Sequence, residues 1–416
     1  MERSIYSPIF ILFSTGCMAQ WANTNAPIVD RYDDVFFIGA DTGWAAGGGQ
    51  GTIIRTYNGG ADWDIVFNGG GYLRSIEFAT PDVGFCGTLD SRFLRTTDGG
   101  DTWQDIGSTI TPTPIGICGL SAPTADHIYG VGVWSQPAYI IRSTDGGTTW
   151  TNTSMAAQAT ALVDVHFLNA DTGLASGRAN PVSAGGVILR TEDGGDTWAV
   201  VHTTGTGSDY VWKLQTPDGV HLYGSIDGPP GSGTRYVRSS DAGVTWQTDT
   251  ITMDYYYVQV IGFLDTQRGW TGGYGQLLET TDGGENWNLL NFGNAHDRFH
   301  RVDGSTAYMT GSGIYKFSDP STVVLAHAEQ PYPEWITVLP NPATENARIV
   351  VDLKAATAVE MELFAADGRW VALLQRGWLA AGQHELPLDV TKLAPGSYFA
   401  TLRTNEGHVT TPFQVR

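Results

Sequence analysis

A ten-residue motif repeats along most of the chain, and this repetition constrains the fold more than any other feature. One copy reads Leu94-Arg95-Thr96-Thr97-Asp98-Gly99-Gly100-Asp101-Thr102-Trp103. Six copies end on a tryptophan, at Trp63, Trp103, Trp150, Trp198, Trp246 and Trp287. The tryptophans recur at intervals of roughly 40–48 residues, which is typical of the four-stranded blades of a β-propeller.

Each copy has the composition of a tight turn between two strands. An apolar strand ends at Ser or Thr, an Asp accepts backbone N–H groups across the turn, and two glycines supply positive φ. The tryptophan then begins the next strand and packs between blades. We interpret these aspartates as structural: Asp98, Asp145, Asp193, Asp241 and Asp282, with Asn58 in the first copy. They are not interpreted as metal ligands or acid–base catalysts.

The two ends of the repeat region complement each other. A degenerate seventh copy, Ile314 to Asp319, lacks its closing tryptophan strand, whereas Gln20-Trp21 supplies one near the N-terminus. An unpaired edge strand would favour association with other chains, so we expect the N-terminal strand to complete the last blade. The sequence thus predicts an all-β fold with a seven-bladed β-propeller over residues 20–319.

The motif is the Asp box, S/T-x-D-x-G-x-T-W. Together with turns of the Asp41-Thr42-Gly43-Trp44 type, it resembles the photosystem II assembly factor branch of the Asp-box (BNR-like) propellers, over residues 20–319. Related boxes occur in sialidases, xyloglucan hydrolases and sortilin-type receptors. The resemblance therefore implies the fold and leaves the function open.

A second domain follows the repeats. Residues 320–335 are predicted to be a linker, and residues 336–416 a small Ig-like β-sandwich of short alternating strands. Its motifs Pro340-Asn341-Pro342, Asp367-Gly368-Arg369 and Leu393 to Tyr398 resemble the type A C-terminal sorting domain of the type IX secretion system of Bacteroidota. That resemblance implies the secretion machinery as a partner, export across the outer membrane, and usually removal of the domain. An accessory sandwich that binds another ligand is the alternative.

The N-terminus has the pattern of a secretory signal peptide over residues 1–19, cleaved between Ala19 and Gln20. A lipobox ending at Cys17 is the alternative reading. We expect a secreted or cell-surface protein that passes through the periplasm. The two remaining cysteines, Cys86 and Cys118, lie in apolar runs and are expected to be buried thiols rather than a disulfide.

Charge and motif content narrow the possible functions. The chain has 23 Lys and Arg against 43 Asp and Glu, a formal net charge of −20, so nucleic-acid binding is not expected. The sequence contains no calcium loop, zinc spacing, nucleophile elbow or phosphate loop. No cofactor or metal is therefore predicted, and we expect a monomer.

The loops that join successive blades indicate where a ligand would bind. They carry the predicted binding residues Arg31, Tyr32, Tyr72, Arg74, Tyr210, Trp212, Tyr256, Arg298 and Arg301. Aromatic and arginine side chains suit a glycan or protein ligand, although strand-start aromatics also pack blade ends. The sequence therefore favours a binding module over an enzyme.

A secreted glycoside hydrolase, sialidase-like or with another pair of carboxylates, is the alternative. These loops carry no Glu except Glu77, which the pattern places inside a strand. Asp34, Asp164, Asp209, Asp254 and Asp297 lie nearby. Their separation, on which a carboxylate pair depends, cannot be read from the sequence.

Overall fold

A computed structural model describes residues 20–27, 30–135, 137–319, 335–343, 346–353, 356–365, 369–404 and 407–416. The predicted signal peptide, nearly all of the predicted linker, and Asp367 and Gly368 of one sorting motif lie outside the described residues. The chain divides into two compact units, Met1–Val324 and Leu325–Arg416, and each is described by itself.

The first unit consists of four-stranded antiparallel sheets, consistent with a β-propeller, and seven of them are described. The N-terminal strand is β1 (Gln20–Asn23). Three sheets follow in chain order: β2 (Tyr32–Phe37), β3 (Gly43–Gly47), β4 (Thr52–Thr56), β5 (Asp64–Asn68); β6 (Leu73–Phe78), β7 (Gly84–Thr88), β8 (Phe93–Thr96), β9 (Gln104–Asp105); β10 (Gly119–Ser121), β11 (Ile128–Val131), β12 (Tyr139–Ser143), β13 (Thr151–Ser154). Two single-turn 3-10 helices, Gly107–Thr109 and Val182–Ala184, are the only helical segments among the described residues.

The next three sheets repeat this arrangement: β14 (Ala159–Phe167), β15 (Gly173–Ala179), β16 (Gly186–Thr191), β17 (Ala199–Thr203); β18 (Tyr210–Gln215), β19 (Leu222–Asp227), β20 (Thr234–Ser239), β21 (Gln247–Thr252); β22 (Val258–Phe263), β23 (Gly269–Gly273), β24 (Leu277–Thr280), β25 (Asn288–Leu290). The last contains β26 (His296–Arg301), β27 (Thr306–Gly311) and β28 (Ile314–Ser318). Strand β1 pairs antiparallel with β28, with Trp21 opposite Phe317. The N-terminal strand thus occupies the place of the missing fourth strand.

The Asp boxes connect the third and fourth strands of their sheets. In the second sheet, the Thr96 hydroxyl donates to Asp98 Oδ1 (2.8 Å) and accepts from Gly100 N (2.9 Å). Asp98 in turn accepts from the backbone and hydroxyl of Thr102, at 2.9 and 2.6 Å. The same pattern recurs at the boxes of Asp145, Asp193, Asp241 and Asp282. The box is therefore a local network that closes its own turn.

Aromatic stacking joins neighbouring sheets. An aromatic residue of a second strand stacks on a Phe in the first strand of the next sheet, with ring centroids about 3.6–3.7 Å apart. The pairs are Trp44 with Phe78, Tyr129 with Phe167, Tyr223 with Phe263, and Tyr308 with Phe37. Box tryptophans such as Trp103 and Trp198 meet these Phe rings edge-on. Cys86 and Cys118 are buried free thiols.

The second unit contains two antiparallel sheets. One comprises β29 (Trp335–Leu339), β30 (Asn346–Leu353) and β33 (Gly382–Asp389), and the other β31 (Thr357–Ala365), β32 (Trp370–Leu379), β34 (Gly396–Thr404) and β35 (Gly407–Val415). Ile349 of the first sheet and Met361 and Leu402 of the second belong to one buried apolar cluster, so the sheets share a core. In the described part of the chain, no helix is long and apolar enough to cross a membrane.

Candidate functional site at the mouth end of the sheets

The antiparallel order of the strands gives each sheet of the first unit two distinct ends. At one end, box amides donate to the turn between the first two strands, as in Gly99 N to Asp82 O (2.9 Å) and Gly194 N to Asp171 O (2.8 Å). We call this the box end. The connections between second and third strands, and between successive sheets, lie at the opposite end, which we call the mouth end.

A cavity of about 400 Å³ opens at the mouth end. Its walls come from the connections that precede β2, β22 and β26 and from those that follow β23 and β27. They comprise Asp30, Arg31, Tyr257, Gln259, Tyr274, Gly275, Asn294, Ala295, Asp297 and Ser312. Tyr274 is 79% exposed and Tyr257 43% exposed. The volume falls in the range of roughly 300–1,000 Å³ that is usual for ligand pockets.

Arg31 is held in a fixed position at the wall of this mouth cavity. Its Nε donates to Asp33 Oδ1 (3.0 Å), and its Nη2 donates to Gln259 Oε1 (2.8 Å) and Asp297 Oδ1 (2.9 Å). Gln259 is itself positioned by donating to the Tyr257 hydroxyl at 3.0 Å. Because the Arg31 side chain keeps 31% of its surface exposed, the cavity presents a cation whose orientation is set before any ligand arrives.

Asp297 changes the charge of the mouth cavity near neutral pH. Burial raises the pKa of its carboxyl to about 7, although Arg31 acts in the opposite direction. Near pH 7 about half of these carboxyls are protonated. Arg31 and Arg74 then share Asp33 and a partly protonated Asp297, which favours a ligand that brings an acceptor to Arg31.

A cluster of buried charges lies between the first strands, behind the mouth cavity. Arg298 donates two bonds of 2.8 Å to Asp164 and lies 3.4 Å from Asp34, while Arg74 pairs with Asp33. Lys213 Nζ is 4.0 Å from Asp164, and burial lowers its pKa to about 8. We call Asp33, Asp34, Arg74, Asp164, Lys213 and Arg298 the central cluster. Its ion pairs cross from one sheet to another, so they tie the sheets together.

Three of the predicted binding residues lie at or beside the mouth cavity. Arg31 lines it directly. Tyr72 is half-buried beside Asp33, and burial raises the pKa of its phenol to about 12. Tyr256 is half-buried next to Tyr257, and its backbone N–H donates to Thr234 Oγ1 at 3.1 Å.

Arg74, Tyr210 and Trp212 form a separate group. Trp212 is buried, with the Arg74 guanidinium 5.6 Å from its ring centroid and the Tyr210 ring 5.7 Å away, edge-on. The Tyr210 hydroxyl donates to Trp134 O at 2.8 Å. A ligand at the mouth end therefore cannot stack on Trp212 without displacing its neighbours.

Three other predicted binding residues do not line the mouth cavity: Tyr32, Arg298 and Arg301. Tyr32 is buried in the apolar core, where its hydroxyl donates to Pro27 O at 2.6 Å. Arg298 belongs to the central cluster. Arg301 is the last residue of β26 and therefore lies at the box end, because the first strands run from the mouth end to the box end.

Tyr274, Gln259 and Asn294 are not among the residues predicted from the sequence. The predicted residues come from the connections between successive sheets, whereas Tyr274 follows β23 in a connection between second and third strands. Both kinds of connection meet at the mouth end, so the topology could have identified Tyr274. In the described residues, no group of three or more His, Cys, Asp or Glu side chains is placed to hold a metal ion.

Comparison with known families finds a match in each part of the chain. Residues 65–222 match the family of the photosynthesis system II assembly factor YCF48, and residues 337–416 match the secretion system C-terminal sorting domain. Both resemblances seen in the sequence are thus confirmed. The sorting domain indicates a protein exported by the type IX secretion system. No curated protein matches the sequence.

Several solved structures share the fold. A YCF48 structure titled as bound to D1 peptide aligns with a TM-score of 0.56 at 18% identity, over 72% of this chain and 96% of that one. PorZ of Porphyromonas gingivalis, a surface component of the type IX secretion system, aligns with a TM-score of 0.51 at 15% identity, over 92% of this chain and 58% of that one. A GH74 xyloglucanase from Xanthomonas campestris has a TM-score of 0.55 at 14% identity, over 80% of this chain and 59% of that one. These identities support the propeller fold and no particular activity.

Proposed function

We propose that this protein is a secreted or cell-surface binding module that holds a polypeptide segment in its mouth cavity without chemical turnover. The proposal includes a closed seven-bladed propeller over residues 20–319, since the mouth cavity needs walls from both ends of the repeat region.

The contacts between sheets support a closed ring. The first strands neighbour one another in the cyclic order β2, β6, β10, β14, β18, β22, β26 and back to β2. The stack of Tyr308 on Phe37 joins the last sheet to the first as Trp44 and Phe78 join the first to the second. Arg31 also donates to Gln259 and Asp297, from the two sheets before it in the ring.

A polypeptide ligand is favoured mainly because the fixed Arg31 guanidinium lies beside the exposed Tyr257 and Tyr274. Tyrosine and arginine are enriched among the residues that dominate protein–protein binding energy, since they combine large contact area with directional hydrogen bonds. Asn294 is exposed in the cavity wall and adds an amide group, which matches the donors and acceptors of a peptide backbone. The YCF48 structure titled as bound to D1 peptide is a precedent for peptide binding on this fold.

The carboxylates of the mouth cavity support binding without turnover. Asp297 is buried and bonded to Arg31, so it is poorly placed to protonate a glycosidic oxygen or to attack an anomeric carbon. A carboxylate pair for glycoside hydrolysis needs two groups facing the substrate, roughly 5–10 Å apart. Asp30 is the one other carboxylate in the described cavity wall.

A pair of arrays tests this function with the full chain. Wild type and an Arg31→Gln, Tyr274→Ala double variant are applied to overlapping 15-residue peptides of secreted and cell-surface proteins and to a glycan array. Tyr57→Ala is the matched control, because Tyr57 is 59% exposed but lies in a box, at the other end of its sheet. We expect peptide hits that the double variant binds at least tenfold more weakly, about 1.4 kcal/mol, and that the control binds as wild type does.

Two results would overturn the proposal. Equal affinity of the double variant for every peptide hit would place the peptide site elsewhere. Binding only to glycans, or release of sugar from a glycan hit, would replace the peptide-binding function with glycan recognition or hydrolysis.

A further inference from the structure

A second cavity, of about 210 Å³, lies at the box end of the first strands. Its walls come from six sheets, through β2, β6, β10, β14, β18 and β26 or the residues that follow them. We call it the box-end cavity. It is smaller than pockets for drug-sized ligands, which start near roughly 300 Å³, and its size suits one small organic molecule.

Four side chains in its wall have unused hydrogen-bonding capacity: Glu77, His166, His300 and Arg301. Glu77 Oε1 accepts from Ala122 N at 3.3 Å, and His300 Nε2 lies 3.1 Å from both N and O of Phe37. His300 Nδ1 has no hydrogen-bond partner among the residues that the structure describes. Neither ring nitrogen of His166 has a hydrogen-bond partner in the described part of the chain. These side chains are half-buried, so their free polar atoms can bond to water in the cavity or to a ligand that replaces it.

Arg301 supplies the positive charge of this box-end cavity. Its Nε donates to Leu264 O at 2.6 Å, and its terminal amino groups meet no carboxylate among the described residues. The other nearby arginine, Arg298, is already paired with Asp164 and Asp34. Arg301 is therefore available to a carboxylate from outside the chain, in the bidentate geometry that guanidinium favours.

The remaining three groups are uncharged near neutral pH. Burial raises the pKa of Glu77 to about 8, with Asp34 adding to the shift and Arg298 opposing it. Burial lowers the pKa of both His166 and His300 to about 4. A protonated carboxyl and two neutral imidazoles donate and accept hydrogen bonds without attracting a counter-ion, which suits hydroxyl groups better than charges.

We propose that the box-end cavity binds a small hydroxy acid. The carboxylate of the ligand lies on Arg301, and its hydroxyl groups bond to Glu77, His166 and His300. The site does not depend on the mouth cavity, because the two cavities lie at opposite ends of the first strands.

The test uses three probes of similar length. D-Gluconate carries both a carboxylate and hydroxyl groups, D-sorbitol has the hydroxyl groups without the carboxylate, and hexanoate has the carboxylate without hydroxyl groups. Isothermal titration of the full chain at pH 7 measures their binding to wild type, Arg301→Gln and Glu77→Gln. Arg190→Gln is the matched control, since Arg190 is also half-buried and its Nε also donates to a backbone carbonyl, Ala242 O, at 3.3 Å.

We expect saturable gluconate binding that is at least tenfold tighter than that of sorbitol or hexanoate. Arg301→Gln should weaken it at least tenfold, and Arg190→Gln should leave it unchanged. Should Arg301→Gln melt early, wild type still gives an answer, because gluconate should shift the ring ¹⁵N signals of His166 and His300 in NMR spectra. Equal binding of sorbitol, unchanged binding by folded Arg301→Gln, unmoved histidine signals, or no gluconate binding up to 10 mM would each overturn the proposal.

Discussion

Replacing Arg298 by methionine tests whether the central cluster holds the sheets together. Arg298 is 15% exposed in its side chain and Asp164 is fully buried, and the two share bonds of 2.8 Å. Methionine fills much of the volume, but among the described residues it leaves Asp164 with the Leu214 N–H at 2.8 Å and with Lys213, 4.0 Å away. Breaking a buried pair by removing one partner costs about 3–5 kcal/mol, since the other charge stays desolvated. That is a large part of the roughly 5–15 kcal/mol that stabilises a typical domain.

The dependence on pH adds a second readout. Burial alone would raise the pKa of Asp164, but Arg298 and Lys213 outweigh it and hold this pKa below its usual value. A lowered pKa contributes stability above the unfolded-state value, near about 3.9, and this contribution disappears as the pH falls below it. The difference in unfolding free energy between wild type and Arg298→Met should therefore be largest near pH 7 and should decrease below about pH 4.

Urea unfolding followed by tryptophan fluorescence measures both effects. Lys213→Met is the control, because Lys213 Nζ is buried without a hydrogen-bond partner among the described residues. Replacing such a charge by an apolar side chain should cost less than about 1 kcal/mol or stabilise the chain. A decrease in unfolding free energy below about 1 kcal/mol for Arg298→Met, or an equal decrease for both variants, would refute the idea that Arg298 is essential for holding the sheets together.

Other predictions concern the boxes, the mouth cavity and export. Ala242 has φ 57° at a position where the other boxes have glycine. The left-handed backbone costs alanine about 1–2 kcal/mol, whereas glycine loses about 0.5–1 kcal/mol more backbone entropy on folding. Ala242→Gly should therefore stabilise the chain by roughly 0.5–1 kcal/mol. Gly146→Ala, at φ 68° with only Ala125 O at 3.6 Å from the added Cβ, should lose a similar amount in urea unfolding; a loss for Ala242→Gly or a gain for Gly146→Ala would contradict the turn geometry. Burial raises the pKa of Asp297 to about 7, so the free energy of unfolding of wild type should fall relative to that of Asp297→Asn as the pH rises from about 4 to about 7. Parallel plots of unfolding free energy against pH for the two proteins would exclude that shift. A chain that ends at Asp319 should remain in the periplasm of its native host, and its appearance at normal level outside the cell would remove the sorting role from residues 336–416.

Features that depend on local chemistry were predictable from the sequence. The hydrogen bonds of an Asp box span four residues, from Thr96 to Gly100 and from Asp98 to Thr102, so each motif folds its own turn whatever surrounds it. Even the first copy keeps the pattern, since Asn58 Oδ1 accepts from Asp62 N at 2.9 Å. The spacing of the boxes then sets the number of strands between them. The degenerate last copy predicted that the N-terminal strand completes the last sheet, because that sheet would otherwise keep an unpaired edge. The register of this pairing, with Trp21 opposite Phe317, came from the structure.

The choice of binding residues was less predictable, because it depends on which way each first-strand side chain points. Strict alternation would place every second residue toward the centre, but β-bulges interrupt the first strands, for example between Tyr32 and Asp34 and between His296 and Phe299. Asp33 and Asp34 are consequently both buried in the central cluster, while Tyr32 packs into the core.

The sequence therefore determined the repeat, the turns and the fact that the connections between successive sheets lie at the end opposite the boxes, since all of these follow from local bonds and strand order. Only the tertiary structure decided that Arg31 faces a cavity with Tyr274, that Arg298 pairs with Asp164, and that Arg301 lies at the other end of its strand. These partners come from different sheets, and the positions of the bulges and the meeting of the sheets set their distances. A one-residue offset in a strand reverses the direction of a side chain, and sequence spacing alone does not fix that offset.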